Sequence, residues 1–173
     1  SYEIIIPRLY GAEVKKDAGV STSSGRKNIS EEDFWKLLDK TKPGESTNIR
    51  NLIADIRKTD GVSIIPRATS IVIGLSLDKT DKKASLFFVL DDATVATEPE
   101  ETLKGQLLTA GLDEQFVHNI IKDYKEKMGS VLPDRKPVRA GTSRSISGKN
   151  VDTKKLNIIV EDFINAIKLQ ENT

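Results

Sequence analysis

Ile71-Val72-Ile73-Gly74-Leu75-Ser76-Leu77, Asp78-Lys79-Thr80-Asp81-Lys82-Lys83 and Leu86-Phe87-Phe88-Val89-Leu90 form the stretch that decides the fold. Two runs rich in β-branched and aromatic residues flank a short polar turn, and so tight a connection joins only antiparallel neighbours. Asp91-Asp92 makes a second turn before Thr94-Val95-Ala96-Thr97, and Val62 to Pro66 supplies a short strand upstream. The expectation is an antiparallel meander of about four strands.

Outside this stretch the apolar period changes to that of a helix. Upstream, Ser30-Glu31-Glu32-Asp33 resembles a capping box with Asp in the place of Glu or Gln, and Phe34, Leu37 and Leu38 follow at helical spacing. Pro43-Gly44 is expected to end that helix, with Ser46 or Thr47 capping the next. Ile49, Leu52, Ile53 and Ile56 fall on one face of this second helix, which Gly61 stops. Downstream, Leu103, Leu107 and Leu108 precede Gly111. Asp113 then opens a helix carrying Phe116, Val117, Ile120, Ile121, Tyr124 and Met128, and a last helix carries Leu156, Ile159, Val160, Phe163, Ile164 and Ile167. Helices before and after a sheet, without strict alternation, define an α+β class in which the meander packs against N-terminal and C-terminal helices.

Residues 30–173 are expected to form that single domain. Residues 1–29 divide into a strand at Tyr2-Glu3-Ile4-Ile5-Ile6-Pro7 and a Gly- and Ser-rich linker from Gly11 to Asn28, too polar to offset its ordering entropy. The first residue is Ser1, as expected of a processed chain or a fragment of a longer one.

Composition removes several chemistries. The 173 residues contain no cysteine and one histidine, His118, so thiolate catalysis, disulfides and multi-histidine metal sites are excluded. No apolar run approaches the roughly 18 residues of a bilayer span, and no secretory signal is present, so a cytoplasmic protein without a membrane partner is expected. Lys and Arg number 27 against 26 Asp and Glu, a net charge of +1 that argues against a dedicated nucleic-acid binder. The neutrality is a sum of unlike parts. Residues 130–155 hold seven basic and two acidic residues, while residues 98–128 hold four basic and seven acidic.

The basic segment is the candidate binding loop, through Arg135, Lys136, Arg139, Arg144 and Lys149, for nucleic acid or another protein. Its plainer explanation is a solvated surface loop, and it contains no aromatic residue on which a base would stack. Pro133-Asp134 with Asp152-Thr153-Lys154 resembles the PD-(D/E)xK nuclease signature, in which two acids hold a divalent cation and a lysine polarises the attacking water. The context differs, since Asp134 falls in a Pro-rich loop and Asp152 reads as a helix cap. Glu13-Val14-Lys15 is a second half-motif with no upstream acid to complete it. Gly141 to Lys149 fails the phosphate-loop spacing, and no cofactor is expected. His118 reads as a surface histidine linked to Glu114. The pairs Asp78/Asp81 and Asp91/Asp92 read as turn residues, and Trp35 reads as core or, if Phe34, Leu37 and Leu38 face inward, as a boundary residue that forms an interface instead. A ligand held between meander and helices would make the chain a small-molecule sensor.

Asp33-Phe34-Trp35, Leu86-Phe87-Phe88-Val89 and the partly basic segment before the closing helix resemble a family of uncharacterised bacterial domains that follow restriction-endonuclease-like domains. The resemblance spans about Ser30 to Gln170. It implies a non-catalytic accessory module of a larger nucleic-acid-associated protein and transfers no catalytic residue. The reading leans away from an enzyme, with the metal-dependent phosphodiesterase using Asp134, Asp152 and Lys154 as its competitor.

Overall fold

The computed structural model describes residues 28–77, 80–138 and 141–172. In chain order the elements are α1 (Glu31–Thr41), α2 (Pro43–Ile56), β1 (Val62–Pro66), β2 (Ser70–Ser76), β3 (Lys83–Leu90), β4 (Thr94–Thr97), α3 (Glu100–Thr109), α4 (Glu114–Gly129), β5 (Asp134–Val138), β6 (Gly141–Ser147) and α5 (Thr153–Glu171). The strand expected at Tyr2–Pro7, all but the last residue of the expected linker, and the Glu13 half-motif lie outside the described residues.

The class is α+β, and the sheet has six strands where four were expected. All neighbours are antiparallel, in the order β1-β2-β3-β4-β6-β5. The two added strands are the basic segment read as a loop. Pro137 and the scarcity of β-branched residues there disguise a hairpin at the sheet's edge, the place where a ladder tolerates proline. Pro66 stands on the opposite edge strand, so each open edge carries a residue that discourages further pairing.

The pleat sorts the sheet's side chains into two faces. Ile73 and Phe87 pair across β2 and β3, Val89 with Val95 across β3 and β4, and all four join the core with the helices. The opposite face carries one continuous cross-strand row of Ile65, Val72, Phe88, Ala96, Ser145 and Asp134, apolar at the β1 end and polar at the β5 end. A bulge between Ile73 and Gly74 leaves Leu86 unopposed. Its carbonyl accepts from Glu98 N at 3.0 Å and from the Tyr124 hydroxyl at 3.4 Å, which ties α4 to the irregular strand.

The helices form as their patterns require, with one correction. Ser30 Oγ accepts from Asp33 N at 3.0 Å and donates to the Asp33 carboxylate at 2.8 Å, capping α1. Asp113 and Asp152 cap α4 and α5 through Phe116 N and Lys155 N. α1 ends at Thr41, just before Pro43 as expected, and Pro43 also begins α2 at its first position, where a missing N–H costs nothing. Ser46, a predicted cap, lies buried within α2 and donates its hydroxyl to Asp39. Gly61 and Gly111 have φ of +82° and +88° and turn the chain out of α2 and α3. Phe163 of α5 lies 4.3 Å, centroid to centroid, from Tyr124, and Ile164 and Ile167 are fully buried beside it.

Candidate functional site

The candidate site is the β5–β6 hairpin and the turn that follows it. Register sets Arg135 directly opposite Arg144, and Lys136 opposite Ser143. Arg144 N donates to Thr97 Oγ1 at 3.0 Å, holding the hairpin onto β4. The Arg144 guanidinium lies over the end of α4, with its Cζ 3.3 Å from where a β-carbon on Gly129 would stand. The α4 carbonyls left without helical partners give that end partial negative charge, which favours a cation there. Arg135 is exposed, and no ion pair with an acid forms at Arg135 or Arg144 among the described residues.

Lys149 is exposed in the tight turn from Ser147 to Asn150. That turn is fixed from two sides. Gly148 N donates to the Ala93 carbonyl at 2.8 Å, and Asn48 Nδ2 of α2 donates to the carbonyls of Gly148 at 2.7 Å and Val151 at 3.3 Å. Arg139 lies outside the described residues. Of the five predicted contact residues, the structure therefore brings Arg135 and Arg144 side by side and sets Lys149 at the other end of β6. Asn48 escaped sequence reasoning because its partners lie 100 and 103 residues away.

The other candidates resolve into ordinary structural roles. Asp134 heads β5 opposite Ser145, and Asp152 commits Oδ1 to the cap of α5. Among the described residues no group of three or more His, Cys, Asp or Glu side chains could hold a metal. His118 is exposed on α4, and its expected ion pair with Glu114 does not form. Asp92 Oδ1 accepts from Thr94 N at 2.9 Å, the turn bond expected of it, and Ala93 beside it has φ of +66°. Asp78 lies outside the described residues. Trp35 is 8% exposed, packs edge-on against Phe34 and donates Nε1 to Glu31 at 3.1 Å; the Arg50 guanidinium covers its face at 4.6 Å.

Surface clefts occur at several places. One of about 430 Å³ opens where Lys82 and Lys83 meet Gln106 and Thr109 of α3, another of about 390 Å³ between Glu31, Arg50 and Arg57, and a third of about 300 Å³ between α4 and α5. Gln106 is already engaged, since its Oε1 accepts from Ser85 N at 2.8 Å. No helix among the described residues is long and apolar enough to cross a membrane. No protein-family model, no curated protein and no solved structure matches this chain.

Proposed function

We propose that this domain is a non-catalytic binding module of a larger nucleic-acid-associated protein, and that it contacts the phosphate backbone of nucleic acid through the β5–β6 hairpin. The observation that carries the reading is Arg135 opposite Arg144. Like charges directly across an antiparallel pair destabilise the sheet, and a bound phosphate turns that cost into two charge-assisted hydrogen bonds. Lys154 and Lys155 support it, because both occupy the first turn of α5, where the helix dipole disfavours cations by about 0.3–1 kcal/mol each. The lack of aromatic residues on the hairpin favours backbone contact over base stacking.

The test is fluorescence anisotropy with labelled duplex and single-stranded oligonucleotides across a salt series. Binding should weaken steeply with salt, and Arg135→Ala and Lys149→Ala should each reduce the log–log salt slope by about 1. Absence of binding at low salt removes nucleic acid as the partner. Binding that both variants leave unchanged removes the hairpin as the surface.

A further inference from the structure

The two large hydrophobic side chains that stand exposed among the described residues are both on α5: Ile158 at 58% and Leu169 at 72%. They are eleven residues apart, about three turns and some 16 Å along one face. Asp162 and Asn165, also exposed, fall on the same stripe between them. The spacing from 158 to 162, 165 and 169 is four, three, four, the seam of a coiled coil, and it reads the same in both directions. Beside the seam runs the cleft of about 300 Å³ between α4 and α5, which adds the half-buried Ile120 and Ala166 to the apolar surface.

We infer that this face is an interface for a second copy of the chain, with the two α5 helices antiparallel about a two-fold axis midway between Asp162 and Asn165. In that register Ile158 meets Leu169 of the second copy, Leu169 meets its Ile158, and each Asp162 carboxylate accepts from the amide of the opposite Asn165. One surface thus satisfies itself twice, as a two-fold contact requires. The flank is complementary in charge, because Glu161 of one copy comes opposite Lys168 of the other. Both already face the turn after α2, where Thr59 donates to Glu161 at 3.2 Å and Lys168 pairs with Asp60. Near the axis the two Asp162 carboxylates approach each other, and Lys127, paired with Asp123 at 2.9 Å and within the field of Asp162, offsets their repulsion. A different partner would have to reproduce both the apolar spacing and the amide–carboxylate exchange that α5 itself provides. A three-turn seam is narrow beside the roughly 800 Å² per partner of a standard interface, so the dimer dissociates in the micromolar range or above.

The chain's lack of cysteine makes the register directly testable. Sedimentation equilibrium should show a concentration-dependent dimer, and Leu169→Glu, at an exposed site that leaves the core intact, should weaken it by at least about tenfold. Ile158→Cys and Leu169→Cys proteins, mixed and treated with a short bismaleimide, should cross-link to each other far more than either does to itself. A chain monomeric up to about 1 mM overturns the inference. So does a dimer indifferent to Leu169→Glu, or cross-linking that joins like positions.

Discussion

Gly148 sits so tightly under Ile49 that a β-carbon added to it would lie 2.5 Å from the Ile49 Cδ1 and 2.8 Å from the Ala93 carbonyl oxygen. The base of the β5–β6 hairpin is thereby wedged between α2 and the β3–β4 turn. Gly148→Ala should destabilise the fold by about 1–3 kcal/mol, because the Ala93 carbonyl is backbone and cannot yield cheaply. Ile49→Val removes the closer of these two atoms, Cδ1, so the double variant should lose less than the sum of the two single losses. Urea denaturation of the four proteins measures that coupling.

Asn48 acts on the same turn through hydrogen bonds. Asn48→Ala leaves the carbonyls of Gly148 and Val151 without their side-chain donor and should cost about 1–3 kcal/mol. Asn48→Asp should cost more at neutral pH, since a carboxylate set against two carbonyl oxygens repels them. The comparison of denaturation midpoints near neutrality and in acid separates loss of a donor from gain of a charge.

The chain's single tryptophan reports on the α1–α2 corner. Arg50 covers the Trp35 ring and pairs with Asp39 at 2.6 Å. Arg50→Ala should shift the tryptophan emission to longer wavelength as water reaches the indole face, with a stability loss of at most about 1 kcal/mol. An unchanged spectrum would mean that the ring is sheltered by other groups.

Three carboxylates give the stability–pH profile opposing contributions. The Ser46 hydroxyl and then Arg50 hold Asp39 below the usual carboxylate range, and Lys168 does the same for Asp60. Each stabilises the fold above its unfolded value of about 3.9, and the contribution is lost as pH falls through the lowered folded value. Burial pushes Glu98 the other way. Its ionised form penalises the fold at neutral pH, and acidification through the raised value removes the penalty. Glu98→Gln should therefore raise the denaturation midpoint at pH 7, with the gain vanishing below about pH 4. Asp39→Asn should lower the midpoint at pH 7, with the loss fading in strong acid.

The strands from Val62 to Thr97 were legible because their burial is apolar, so Ile73, Phe87 and Val95 announce themselves by residue type and alternation. The hairpin was not, because Ser143 and Ser145 are buried there, and serine carries no strand signal. Asp152 was legible as a cap because capping is a local interaction. The pairing of Arg135 with Arg144 depends on the register between β5 and β6, whose composition reads as loop, and Pro43, legible as the end of α1, is also the start of α2 because proline punctuates both. Ile158 and Leu169 fall outside the apolar period of α5 that Leu156, Val160, Phe163 and Ile167 define, and periodicity alone says nothing of what an off-period residue does.

Strand order also imposes a schedule on synthesis. β4 pairs with β6 through Thr94–Ser147, Val95–Ile146 and Ala96–Ser145, yet roughly 40 residues, including two helices, separate Thr97 from Gly141. At about 5–20 residues per second, a nascent chain that has made β1 to β4 waits several seconds before the hairpin emerges. Through that interval the free edge of β4 is open to any other strand. The most vulnerable species on the way to this fold is therefore a translation intermediate, and the basic hairpin is also the lid that ends its exposure.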